Sequence, residues 1–224
     1  MIIDDEESEE TTAHPDKGLI IFTNRIDAIR ARPGVYLEAC DHRGVATLVE
    51  LLVKFAFRTS GMWASCARTV TVEILEQNCY RVIDDGAGIP VLPDDDCPAP
   101  LTEVFTILPT GVSIGGLVIL NAFSERLIAT VSRDGSLWSQ EFCGNEIIVP
   151  LHRIGDSDTT GTVIKFWPSS VFTSTATGDN LEECFAHFVQ DSPGMTIEVA
   201  NPASLSSPVI WQCTLRQPLT DEVK

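Results

Sequence analysis

The chain has 224 residues, 44% of them apolar and 21% charged, with a formal net charge of -17. That length suits one domain with appendages, able to bury roughly 70% of its unfolded surface without disulfide or metal staples. Acidic residues outnumber basic ones by 32 to 15 with no cluster of Lys and Arg, which argues against direct nucleic-acid binding; such a surface serves solubility, draws a basic protein partner or imitates DNA.

Residues 1–17 read as a disordered acidic arm, since Asp4, Asp5, Glu6, Glu7, Glu9 and Glu10 fall within the first ten residues. The start turns acidic at once, unlike a signal peptide, and no apolar run reaches the ~18 residues of a membrane span. A soluble cytoplasmic protein with reduced thiols is expected. The seven cysteines form no C-x-x-C pair and are odd in number, so no zinc or redox motif arises, and several are expected in the core.

Asn24–Ala31 reads as a helix stopped by Arg32-Pro33-Gly34. Val45–Phe57 reads as a second helix, apolar nearly all round and so buried. Thr69–Leu75 alternates as a strand, Glu76-Gln77-Asn78 turns, and Cys79–Asp84 returns as its hairpin partner. Pro93–Pro100, with Asp94, Asp95 and Asp96, reads as an exposed loop. Leu101–Leu108 is a short helix, Gly111–Gly116 a flexible turn, and Leu117–Phe123 a buried helix. Leu127–Ser132 and Leu137–Phe142 are strands joined at Asp134-Gly135. Glu146–Val149 and Thr162–Phe166 continue the sheet. Asn180–Gln190 spaces Leu181, Cys184, Phe185 and Phe188 as an amphipathic helix, ended by Pro193-Gly194. Met195–Val199 is a further strand, and Val209–Leu215 a last one within a C-terminal extension, 201–224. The mixture of helices and hairpins predicts an α+β two-layer sandwich.

The most informative run is Val82-Ile83-Asp84-Asp85-Gly86-Ala87-Gly88-Ile89-Pro90. A strand carries a carboxylate to its end, and the glycines after it let backbone approach a flat ligand. A buried carboxylate there can accept from an exocyclic amine such as that of adenine. Taken alone, the run also fits a turn, a fragment of a calcium loop or no site at all.

It is accompanied by other motifs in order. Ile26 to Leu37 holds A-R-P-G-V-Y-L, Leu120 to Ser124 reads L-N-A-F-S, Arg133-Asp134-Gly135 leads to Glu141-Phe142, and Gly161 to Pro168 reads G-T-V-I-K-F-W-P. With Pro193 to Ile197, this series resembles the ATPase domain of the DNA gyrase B and topoisomerase IV family, of the GHKL (Bergerat) superfamily, over residues 18–200. The resemblance implies a mixed, mostly antiparallel sheet with helices on one face. It also implies an adenine-binding end at Asp84, Gly86, Gly88, Ile89, Pro90 and Thr162.

The same resemblance implies a loss. The family carries a general-base Glu, and an Asn four residues later that holds magnesium, on the helix here read as Val45–Phe57. Aligned on Gly44, those positions are Leu51 and Phe55, which can neither take a proton nor ligate a hard cation. Glu50 lies one residue, about 100°, around the helix. The segment Thr110–Gly116 is shorter than the family's glycine-rich lid, the family's Arg of D-D-G-R-G is Ala87, and the resemblance ends without a transducer domain. The expectation is a pseudo-ATPase with no magnesium site, acting through protein contacts, regulatory in role and directed at a topoisomerase. The alternative is a sensor that binds ATP or ADP weakly without hydrolysis; a working ATPase is the least supported reading. With a cut lid and an acidic arm, a monomer is expected, or a dimer that does not depend on ATP.

Overall fold

The computed structural model describes residues 25–58, 65–92, 100–107, 116–144, 146–190 and 196–200. The acidic arm, the Asp94–Asp96 loop, most of the shortened lid segment, Pro193-Gly194, the strand expected over 209–215, and Cys97 and Cys213 lie outside the described residues.

Helix α1 (Arg25–Arg30) buries Ile26 and Ile29 on one side. The chain does break at Arg32, but Pro33 then opens a further single turn, α2 (Pro33–Tyr36). The reason is that Pro is pre-set for the first helical position, where its missing N–H is no loss. Helix α3 (His42–Ala56) starts three residues earlier than the apolar pattern suggests. Asp41 caps it, accepting from the Arg43 amide at 2.9 Å. The expectation of a helix apolar all round needs correction. Val45, Leu48, Val49, Leu52, Val53 and Phe55 are buried, whereas the opposite side carries the Glu50–Lys54 ion pair at 2.8 Å.

Strands β1 (Thr69–Leu75) and β2 (Cys79–Asp84) form the expected hairpin. Gln77 and Asn78 turn it, with φ of 61° and 54°. Helices α4 (Pro100–Thr106) and α5 (Leu117–Ala122) follow, then β3 (Ser124–Arg133) and β4 (Ser136–Cys143) around Asp134-Gly135. Strand β5 runs Glu146–Asp156, well past the expected end at Val149. Pro150 concealed this from the sequence, because Pro is excluded from central strands; β5 is an edge strand, where a missing ladder N–H is tolerated. Then come β6 (Gly161–Pro168), α6 (Gly178–Gln190) and β7 (Thr196–Ala200).

The seven strands among the described residues form one sheet in the order β5-β4-β3-β6-β2-β1-β7. Neighbours pair antiparallel except β1 and β7, which run parallel. Alternate residues on the central strands point into the core: Val70 and Val72, Tyr80 and Val82, Leu127, Ala129 and Val131, Ile164 and Phe166. Helices α3 and α5 close this face. The other face is polar, with Glu73–Arg81 and Arg126–Glu141 ion pairs and the Arg126 and Lys165 cations 5.3 and 4.8 Å from the Trp167 ring centroid. The fold is therefore the expected α+β two-layer sandwich.

On α6, Leu181 and Phe185 are buried and Cys184 is half-buried; the Phe188 side chain lies outside the described residues. Of the five described cysteines only Cys79 is fully in the core; Cys66 and Cys143 are exposed.

One buried hydroxyl ties the sheet to the segment before α6. Tyr80 Oη donates to the Ala176 carbonyl at 2.8 Å and accepts from the Ala176 amide at 2.8 Å. Tyr80→Phe leaves both backbone groups buried without that partner. A loss of about 1–3 kcal/mol is expected in urea denaturation.

Candidate functional site

Strand β2 ends by presenting Asp84 between Val70 of β1 and Thr162 of β6 in the ladder. Asp84 Oδ1 accepts two hydrogen bonds, from the Gly86 amide and from the Ser65 hydroxyl, each at 2.9 Å. Burial pushes the carboxyl above its ordinary pKa. The Gly86 amide, the Ser65 hydroxyl and the Thr162 backbone pull it back, and the charge of Asp85 adds to the rise.

Asp85 has a different task. It is exposed, and its Oδ1 accepts from the amides of Arg68 and Thr69 at 2.7 and 2.9 Å, pinning the turn to the start of β1. Of the two adjacent carboxylates, Asp85 is exposed and Asp84 half-buried.

Gly86 is packed against Ser65: a Cβ there would lie 2.0 Å from Ser65 Oγ and 2.4 Å from Ser65 O. Gly88 has φ +76°. Arg133 Nη1, reaching across from β3, donates to the Gly88 carbonyl at 2.6 Å and fixes this part of the loop. Ile89 is buried and Pro90 half-buried. The Ile89 amide donates to Thr162 Oγ1 at 3.3 Å, and Thr162 is itself 3% exposed. A hydroxyl that accepts in this way keeps its own proton to donate.

The residues singled out in the sequence thus come together. Asp84 supplies an acceptor, Thr162 a donor, and Gly86, Gly88, Ile89 and Pro90 the backbone around them. Such a pair suits a heterocycle with an amine beside a ring nitrogen, as adenine has. Sequence reasoning missed Ser65, which is 2% exposed. It stands in no motif; only its burial and its bond to Asp84 identify it.

The two α3 positions at which the resemblance expects a general base and a magnesium ligand differ. Phe55 is 8% exposed and belongs to the hydrophobic core, and Leu51 packs against that core half-buried. These two positions of α3 offer carbon and no oxygen, so a hard cation has no ligand from either. The neighbouring carboxylate, Glu50, is engaged elsewhere. It pairs with Lys54 and lines a separate cavity of about 430 Å³ between α3 and α6, with Glu38, Arg43, Glu183 and Cys184. Among the described residues there is no group of three or more His, Cys, Asp or Glu side chains arranged to hold a metal ion. No helix among them is long and apolar enough to cross a membrane.

No family model matches the chain. Curated relatives do. The chain is 35% identical over 158 residues to the DNA gyrase B protein of Campylobacter jejuni, covering 64% of this chain and 20% of that protein. It is 33% identical over 171 residues to the novobiocin-resistant DNA gyrase B protein of Streptomyces niveus, covering 70% and 25% respectively. It is 28% identical over 224 residues to the novobiocin-sensitive form of the same organism, covering 91% and 32%. The chain therefore spans between a fifth and a third of the length of these relatives. The sheet order and these similarities lead to one conclusion: the chain is a gyrase-B-like ATPase domain of the GHKL fold.

Proposed function

We propose that this chain is a gyrase-B-like domain that does not hydrolyse ATP and acts through contacts with other proteins. Phe55 carries the reading: the position at which the family holds magnesium is a core aromatic. Leu51, at the position of the general base, agrees with it. Without metal and base, attack of water on a terminal phosphate lacks its two main aids. The functional unit is residues 18–200, flanked by the acidic arm and the 201–224 extension. Its site is cytoplasmic and its role regulatory, a topoisomerase being the partner whose domain it can imitate. The net charge of -17 disfavours direct contact with nucleic acid. A phosphate-release assay with ATP and magnesium is expected to match the buffer blank. Steady release that disappears on Asp84→Ala overturns the proposal. So does a pull-down from cells that recovers no specific partner.

A specific observation favours a second reading, in which ADP or ATP binds at the adenine end and shifts a conformation without being consumed. The Asp84 carboxylate accepts from the Gly86 amide and the Thr162 hydroxyl from the Ile89 amide, which supports this reading. Calorimetry with ADP at about 1 mM decides it: a Kd in the millimolar range or below supports it, and absence of heat rejects it. Asp84→Ala removes a hydrogen bond to a charged group, so any binding is expected to weaken by roughly 10- to 150-fold.

A further inference from the structure

Ser65 lies outside every recognised motif, yet it meets the nucleotide box at three points. Its hydroxyl donates to Asp84 Oδ1 at 2.9 Å, its carbonyl accepts the Ala87 amide at 2.8 Å, and its side chain fills the space a Cβ of Gly86 would need. The residues just after it are tied to the end of α3: the Cys66 amide donates to the Arg58 carbonyl and the Ala67 amide to the Ala56 carbonyl, each at 3.0 Å. Ser65 is therefore the link between the segment leaving α3 and the carboxylate that ends β2.

We infer that Ser65 is a positioning residue for the adenine site, its hydroxyl holding the Asp84 carboxylate ionised and aimed so that adenine binding follows the protonation of Asp84. The inference rests on the second reading above for its ligand, and on the Ser65–Asp84 bond alone for its mechanism.

The surroundings leave Ser65 as a main counterweight to burial. The ladder neighbours of Asp84 are Val70 and Thr162, neither of which ionises. The adjacent charge, Asp85, is of the same sign and opposes ionisation. Arg133 directs Nη1 to the carbonyls of Ala87 and Gly88 and pairs through Nε with Asp134 at 3.3 Å. On α3, Glu50 and Lys54 neutralise one another on the side facing the α6 cavity. What favours the charged form is the Gly86 amide, the Ser65 hydroxyl and the Thr162 backbone. Removing a donor to a carboxylate raises its pKa. Adenine's amine needs the ionised acceptor, so affinity is full above the folded pKa of Asp84 and is lost as pH falls through it. Without Ser65 that loss begins at higher pH.

The test follows the Asp84 carboxyl by carbon NMR in the full chain from about pH 4 to pH 8. Ser65→Ala is expected to move its titration upward, and Ser65→Thr, which keeps the hydroxyl, to restore the wild-type position. ADP calorimetry across the same range is expected to show binding roughly two- to tenfold weaker in Ser65→Ala. Its acid limb should move upward with Asp84. If Ser65→Ala does not fold, Ser65→Cys replaces the strong donor by a weak one at similar volume and carries the same expectation. An unchanged Asp84 titration in a folded variant overturns the inference. If the wild-type chain gives no heat with ADP, the second reading fails, while the Asp84 titration still decides the role of Ser65.

Discussion

Phe55→Ala is expected to lower stability by about 3–5 kcal/mol, as truncation of a core aromatic does. Phe55 is 8% exposed and is part of the same apolar cluster as Val49, Leu52 and Leu120. Its neighbours sit on packed helices and strands that cannot collapse fully into the space left behind. Phe55→Asn, which brings back the family's residue type, is expected to cost at least as much, because the amide enters that cluster without the polar setting it needs. Leu51→Glu with Phe55→Asn should therefore yield a destabilised protein that still releases no phosphate. Urea denaturation and a phosphate-release assay on the same samples check both statements. A loss below about 1 kcal/mol for Phe55→Ala would mean that the ring borders an open pocket instead of filling the core. The proposed loss of hydrolysis would then rest on chemistry alone, with no change of packing behind it.

The contrast between Phe55 and Asp84 shows which parts of this molecule are legible in sequence. The glycines, the D-D-G-x-G run and the hairpin at Asp134-Gly135 are local signals, because turn geometry restricts the residues that can form them. They placed β2, β3 and β4, and they singled out the residues that the fold gathers around Asp84. The sheet's mixed character was legible from the resemblance of ordered motifs, and the parallel pairing of β1 with β7 agrees with it. What was hidden depends on neighbours distant in sequence. Strand β5 continues through Pro150 because it lies at an edge, which local propensity cannot reveal. Helix α3 looked apolar all round, yet its Glu50–Lys54 side turns toward the α6 cavity. Ser65 carries no signal at all. It matters through a partner 19 residues away, brought close by the α3–β1 connection and the hairpin.

Gly161→Ala is expected to be the most disruptive substitution at the start of β6, at about 3–5 kcal/mol, from backbone strain of roughly 1–3 kcal/mol together with a clash of similar size. Gly161 has φ +139°, a region open essentially to glycine, and a Cβ there would fall 2.1 Å from the Asp84 carbonyl oxygen. That oxygen belongs to backbone, so no side-chain rotation relieves the contact. Either β6 moves away from β2 or the end of β2 bends. Both displace Asp84 relative to Thr162, its partner in the ladder. Gly135 supplies the control. It too has positive φ, +73°, but a Cβ there meets nothing within 4 Å. Gly135→Ala should therefore cost only about 1 kcal/mol, from conformation alone. Chemical denaturation of the two variants compares them, the excess at Gly161 measuring the close approach of β6 to β2 together with the greater strain of its φ. Amide shifts in the Gly161 variant should centre on Asp84 to Ile89, and any adenine binding should fall with them. Equal losses at the two positions would show that β6 yields without strain, and that the spacing of Asp84 and Thr162 is not enforced by the glycine between them.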